Sequence, residues 1–223
     1  MGIPHNHLFA CDSSEACRLF IRNNFDAQLI YGDIMAKSYS ELPQDIDLYA
    51  AGSPCPAFST ANKKAAGDKD DRGKLIYNIS EFLCSNRPKV ALLENVAALK
   101  TRHNDVFKRL MKQCKSAGYK LTHKIMNTRE HGVPQSRRRL YIAAIRADCI
   151  NPDREFVWPK RLPPAANISK FLGSKAQHYN IDVSKTTDVF KRNMDWATKY
   201  AKKHGVSLTS KQNTAIVLVG NMR

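Results

Sequence analysis

Cys55 stands between Pro54 and Pro56, directly behind the small residues Ala50-Ala51-Gly52-Ser53. The apolar run Ile46 to Ala51 leads into it and reads as a short buried strand. Gly52 and Pro54 stop that run and force a loop. The thiol is therefore expected just past the C-terminal end of a strand, the edge of an open α/β sheet where ligands and chemistry collect. A cysteine there can act as a nucleophile when a nearby positive charge or dipole favours its thiolate. The alternative reading is a small buried hydrophobe.

Other polar residues fall at the ends of apolar runs. Asp12 follows Leu8 to Cys11, and Asp33 follows Leu29 to Tyr31. Carboxylates so placed bind ribose hydroxyls or an adenine amine in nucleotide-type folds, or they serve as turn residues. Glu94 closes the run Val90 to Leu93, where a carboxylate can hold or deliver a proton, and Asn95 adds amide donors beside it. Gln135-Ser136-Arg137-Arg138-Arg139 precedes the strand-like run from Leu140. Alternation puts Arg137 and Arg139 on one side, where two guanidinium groups can clamp a phosphate or a polarised carbonyl. Arg138, on the other side, suits a solvated edge that resists aggregation.

The elements that must position these residues alternate. Leu8 to Cys11 predicts a strand. Ser13 and Ser14 can cap a helix with the stripe Ala16, Leu19, Phe20 and Phe25. Strands over Leu29–Tyr31 and 46–51 are followed by a polar loop from Thr60 to Arg72. Leu75, Ile76, Ile79, Phe82 and Leu83 form one face of a helix, and Pro88 follows its end. A strand over 90–93 and a helix through Val106, Phe107, Leu110, Met111 and Cys114 come next, the helix ended by Gly118. Tyr119 to Met126 and Leu140 to Ile145 are strand-like. This order predicts an α/β fold with a mostly parallel sheet. The pattern stops near Trp158-Pro159, which sets domains at 1–159 and 160–223. Within the second, Val189 to Tyr200 suggests a helix and Ala215 to Val219 a strand.

The charge balance narrows the partner. The chain of 223 residues carries a net charge of +16, from 36 Lys and Arg against 20 Asp and Glu. Such an excess suits a polyanion, nucleic acid first. The six cysteines make no Cys-x-x-Cys pair, which argues against a zinc site or a disulfide framework and for reduced thiols. His5-x-His7 lacks further ligands nearby, so no metal is expected. No apolar run reaches membrane-spanning length and the amino end lacks the core of a signal peptide, so an intracellular protein is expected.

Four motifs in order, Gly52-Ser53-Pro54-Cys55-Pro56-Ala57-Phe58-Ser59, Arg72-Gly73, Leu93-Glu94-Asn95-Val96 and His131-Gly132-Val133-Pro134-Gln135-Ser136-Arg137-Arg138-Arg139, resemble the cytosine-5 DNA methyltransferase family. The resemblance covers about Leu8 to Pro159. It implies a Rossmann-like methyltransferase sheet with helices on both faces. It also implies methyl transfer from S-adenosylmethionine to C5 of a flipped cytosine through a covalent cysteine adduct. Cys55 would be the nucleophile, Glu94 would contact N3 and the exocyclic amine, and Arg137 and Arg139 would support the ring carbonyl, the cysteine loop and phosphate. Asp12 would bind the cofactor ribose and Asp33 with Ile34 its adenine, while Pro54 and Leu75 would line the cofactor pocket. The loop from Ser59 to Arg72 would close over the base. The implied partner is double-stranded DNA, with transfer RNA as the substrate of one branch. The place of work would be the nucleus or a bacterial cytoplasm. A basic nucleic-acid-binding relative without catalysis is the non-enzymatic alternative.

The chain departs from the family pattern in three places. No Phe-x-Gly-x-Gly turn stands ahead of Leu8, so a sheet incomplete at its amino end is expected, with a gap where that strand would lie. The family's last two motifs have no counterpart after Lys160, so residues 160–223 are expected to be the start of a target-recognition region. Pro56 takes the place of the usual Gln, removing a backbone donor and a side-chain amide from the nucleophile's loop.

Overall fold

Ser14 opens the first helix as a cap should: its Oγ accepts the Cys17 N–H at 3.5 Å. That helix, α1 (Glu15–Asn24), connects β1 (Phe9–Cys11) to β2 (Leu29–Tyr31). The two strands pair in parallel, with Phe9 opposite Leu29 and Cys11 opposite Tyr31. β3 (Leu48–Gly52), α2 (Asp71–Asn86) and β4 (Val90–Val96) form a second parallel unit. After a short helix, α3 (Ala98–Thr101), come α4 (Asn104–Ser116), β5 (Tyr119–Asn127) and β6 (Arg138–Arg146). The computed structural model describes residues 4–34, 38–54, 57–58, 67 and 71–163, together with residues 195, 198, 199, 202 and 203. The proposed strand at Ala215 to Val219 and most of the loop from Thr60 to Arg72 lie outside the described residues. So does most of the helix proposed from Val189 to Tyr200.

The larger sheet has the order β3-β4-β6-β5. Its β3–β4 pair is parallel, but β6 runs antiparallel to both β4 and β5, so the sheet is mixed rather than mostly parallel. That partner explains one strand end that the sequence places too early and one strand start that it places too late. β4 runs on through Glu94, Asn95 and Val96 because β6 pairs them with Tyr141, Leu140 and Arg139. β6 itself begins at Arg138 and takes in Arg139. A polar residue that breaks the apolar run need not break the ladder when a facing strand supplies its backbone partners.

One face of this sheet is covered by α2 and α4. Ala91 and Leu93 of β4, Leu140, Ile142 and Ala144 of β6 and Tyr119 of β5 pack there against Ile76, Ile79 and Leu83 of α2 and Val106, Phe107, Leu110 and Cys114 of α4. Their alternation along each strand is what a half-covered sheet requires. Leu48 and Leu92, on the other face, are exposed. Gly118 ends α4 with φ of +88°, the left-handed conformation that suits glycine at a helix terminus.

β1 and β2 form a separate two-stranded sheet. Among the described residues, β1 pairs only with β2 and β3 only with β4. The contact between the two sheets is aromatic. Phe82 of α2 stacks on Tyr49 of β3 with ring centroids 4.2 Å apart, and meets Phe9 of β1 at 6.1 Å. Leu42, Ile46 and Phe82 are the buried centre of this joint, with Tyr31, Ile34 and Tyr39 packed around them.

The chain divides into two compact units, Met1–Asn167 and Ile168–Arg223. In the second, the described residues are helical, and Lys199 Nζ lies 2.8 Å from Asp195 Oδ2 one turn away. No helix among the described residues is long and apolar enough to cross a membrane.

Candidate active site

Gly52 is the last residue of β3 and lies in register with Glu94 of β4. Partners in register share a sheet face, so the Glu94 carboxylate stands over a residue with no side chain. A Cβ on Gly52 would lie 3.4 Å from Glu94 Oε2. The glycine is thus what lets the carboxylate lie against the chain just before the cysteine loop.

Arg139 holds that carboxylate from the next strand. Its Nε is 2.8 Å from Glu94 Oε1, and both side chains are partly buried. The N–H is not aligned on the oxygen, however, and Arg139 Nε is a buried donor without a well-formed hydrogen bond. The contact is an ion pair with a donor to spare. Sequence alone places Glu94 at a strand end as an isolated carboxylate. The structure gives it a cation, because β6 aligns Tyr141 with Glu94 and Arg139 with Val96, which sets Arg139 diagonally across on the same face.

Asn95 turns to the other face and is buried. Its Nδ2 donates to Ser53 Oγ at 2.6 Å, and its Oδ1 accepts the Val96 N–H at 2.7 Å. Ser53 is itself buried. Two residues before Cys55, the chain is therefore tied to β4. The sequence offers Asn95 as amide donors beside Glu94 and carries no sign of this bond, which joins residues 42 positions apart. Cys55 and Pro56 lie outside the described residues.

Arg137 is exposed and belongs to the turn before β6. Its N–H donates to Asn127 Oδ1 at 3.0 Å and is also near Thr128 Oγ1 at 3.2 Å. These side chains brace the connection from β5 to β6 and so set where β6 starts. The Arg137 guanidinium makes no bond among the described residues, so only Arg139 of the expected pair reaches Glu94.

The second group of candidate residues sits at the ends of β1 and β2. Asp12 Oδ1 accepts the Ser14 N–H at 2.8 Å, which makes it a turn residue at the entry to α1. Its Oδ2 has no partner among the described residues. Asp12 and Asp33 converge on Cys11: burial first, then the charges of Asp33 and Asp12, push that thiol above its usual range. Ile34 packs against the aromatic joint. Pro54 is exposed behind Ser53, and Leu75 is half-buried early in α2. Two carboxylates at the C-terminal ends of adjacent parallel strands suit the hydroxyls and amine of a nucleoside.

Comparison with known proteins places the chain in a family. The family model described as C-5 cytosine-specific DNA methylase matches residues 4–222. The chain is 39% identical over 145 residues to the type II methyltransferase M.HaeII of Haemophilus aegyptius, covering 65% of this chain and 43% of that relative. It is 37% identical over 137 residues to M.NgoBI of Neisseria gonorrhoeae, covering 61% and 42%. The chain thus spans less than half the length of these relatives. Among solved structures it resembles the Entamoeba histolytica methyltransferase EhMeth, with a TM-score of 0.59 and 20% identity over 83% of this chain and 57% of that one. A Spodoptera frugiperda DNMT2 variant gives a TM-score of 0.57 at 18% identity, covering 85% and 57%. At such identities the likeness is one of fold: mixed α/β, with a Rossmann-like methyltransferase sheet.

Proposed function

Because this chain belongs to the C-5 cytosine-specific DNA methylase family, we propose that it methylates C5 of cytosine in DNA through a covalent adduct on Cys55. The observation that carries this reading is the Glu94 carboxylate, held between Gly52 and Arg139 at the end of the strand beside the one that leads to Cys55.

The chemistry follows from the base. Cytosine in a duplex is stacked and paired, so it must be flipped out before a side chain can reach it. Its C5 is a poor nucleophile. Addition of the Cys55 thiolate to C6 forms an S–C bond and moves an electron pair toward C5 and N3. Glu94, bound at N3 and the exocyclic amine, stabilises the ring as N3 takes up its proton. Arg139 keeps Glu94 in place through that change. With the methyl group on C5, loss of the C5 proton to a base expels the thiolate and restores the C5–C6 double bond.

S-adenosylmethionine would supply an electrophilic methyl group. Asp12, and Asp33 with Ile34, would hold its nucleoside half, with Pro54 and Leu75 alongside. The excess of basic residues serves the phosphate backbone. Work on cellular DNA would place the protein inside the cell.

Trapping tests this reading. The protein is incubated with S-adenosylmethionine and duplex DNA containing 5-fluorocytosine, whose fluorine cannot be removed as a proton. A denaturation-resistant adduct that disappears in Cys55→Ser is the expected result. Salt-sensitive DNA binding without any adduct would contradict it, and an adduct formed with RNA alone would move the substrate.

A further inference from the structure

The loop that carries Cys55 has a second anchor, on a residue that none of the motifs contains. Ala57 and Phe58, two and three residues beyond Cys55, are 0% and 1% exposed. They belong to the main core. The Gly67 N–H donates to Ala57 O at 2.9 Å, so the chain leaves and returns at one point. Gly67 is buried.

His103 closes this point. Its ring meets Phe58 edge to face, with centroids 5.4 Å apart at 77°. A Cβ on Gly67 would lie 3.0 Å from His103 Nδ1, and Gly67 has φ of +65°. Both the space and the backbone conformation therefore call for glycine. His103 is the cap residue of α4, a position where Ser, Thr, Asp or Asn would bond the helix N–H groups. Its side chain makes no such bond and turns to the loop instead. Its backbone is held on both sides: the His103 N–H donates to Ala98 O at 3.2 Å, and its carbonyl accepts the Phe107 N–H at 3.1 Å.

We propose that His103 is a positioning residue for the cysteine loop, locking the Ala57–Gly67 crossing onto the α3–α4 corner. Two held residues then flank Cys55 in the sequence, Ser53 by Asn95 and Phe58 by His103. Both holders lie in the segment that begins with Glu94, so the nucleophile and the carboxylate share one support. The assignment to catalysis rests on the methyltransferase reading; the clamp itself does not.

The test separates the two. In the full chain, Cys55 alkylation by iodoacetamide is measured against the exposed Cys17, Cys84 and Cys149. Tryptic cleavage at Lys63 and Lys64 is followed in parallel. His103→Ala is expected to raise both rates several-fold at an unchanged melting temperature, and to lower kcat while the KM for S-adenosylmethionine stays the same. His103→Phe, which keeps a ring edge against Phe58, is expected to restore the loop rates. Gly67→Ala approaches the same contact from the other side and serves if His103→Ala does not fold. It should loosen the loop in the wild type, and by less in His103→Ala, where the contact with the ring is gone and only the backbone strain remains. Wild-type rates in a folded His103→Ala protein would overturn the proposal. A wild-type chain that forms no adduct, yet shows the His103→Ala changes, would contradict the methyltransferase reading and still support the clamp.

Discussion

β4 has a strand on each side and two helices against one face. Among the described residues, β1 has a single partner, β2, and the helix between them, α1, has no buried residue. Leu19, Phe20 and Phe25 of that helical unit are more than half exposed. The residues assigned to chemistry sit on the first region, and those assigned to the nucleoside sit on the second. Chemistry needs groups fixed before the substrate arrives, and the Gly52–Glu94–Arg139 and Ser53–Asn95 contacts provide that. A nucleoside site can be completed by its ligand, because binding to the folded form stabilises that form.

Substitutions in the two regions should separate them. Leu140→Ala empties a fully buried position in β6 and is expected to cost about 2–5 kcal/mol, whereas Phe20→Ala on α1 should stay within about 0.5 kcal/mol. Urea melts of both proteins check this; equal losses would break the comparison. Phe82→Ala removes the ring that joins Tyr49 to Phe9 and should cost about 3–5 kcal/mol. It should also weaken S-adenosylmethionine binding, read by calorimetry.

Smaller effects sharpen the site. Arg139→Gln removes the cation from Glu94 and should lose about 1.5–3 kcal/mol, about ten- to hundredfold in adduct formation rate. Arg137→Gln, with no bond to Glu94, should lose less in the same assay. The smallest effect is on pH dependence. Burial, and then the charge of Lys100, hold His123 below the ordinary histidine range. The unfolded chain takes up this proton near pH 6.5 while the folded one resists it, so stability falls as the pH drops through about 6.5. His123→Phe, which keeps the packing on Phe107, should flatten that fall in melts between pH 7.5 and 5.5.

Much of this fold is readable from the chain, for physical reasons that also mark where reading stops. Leu29–Tyr31 forms the strand expected of it, because Gly32-Asp33 ends the apolar run. Ser14 caps where a short polar residue before an apolar stripe should. From sequence β4 and β6 look shorter than they are, because Glu94, Asn95, Arg138 and Arg139 are polar, and only the facing strand shows that their backbones pair. The position of Glu94 at the sheet edge was legible, but its partner was not, since nothing local links residues 94 and 139. The same holds for Ser53 with Asn95 and for Phe58 with His103. The one local signal for the last was a histidine where a capping residue belongs, ahead of Asn104.

Native-state hydrogen exchange tests the contrast most directly. Amides of β4 and β6, such as Leu93 and Ile142, should exchange only through global unfolding, while Ala10 and Ile30 of β1 and β2 should exchange through a smaller local opening. S-adenosylmethionine should raise the protection of the second group and leave the first unchanged. One common protection level for both sheets, unmoved by the cofactor, would contradict the division of the molecule into a prebuilt chemical half and a ligand-completed one.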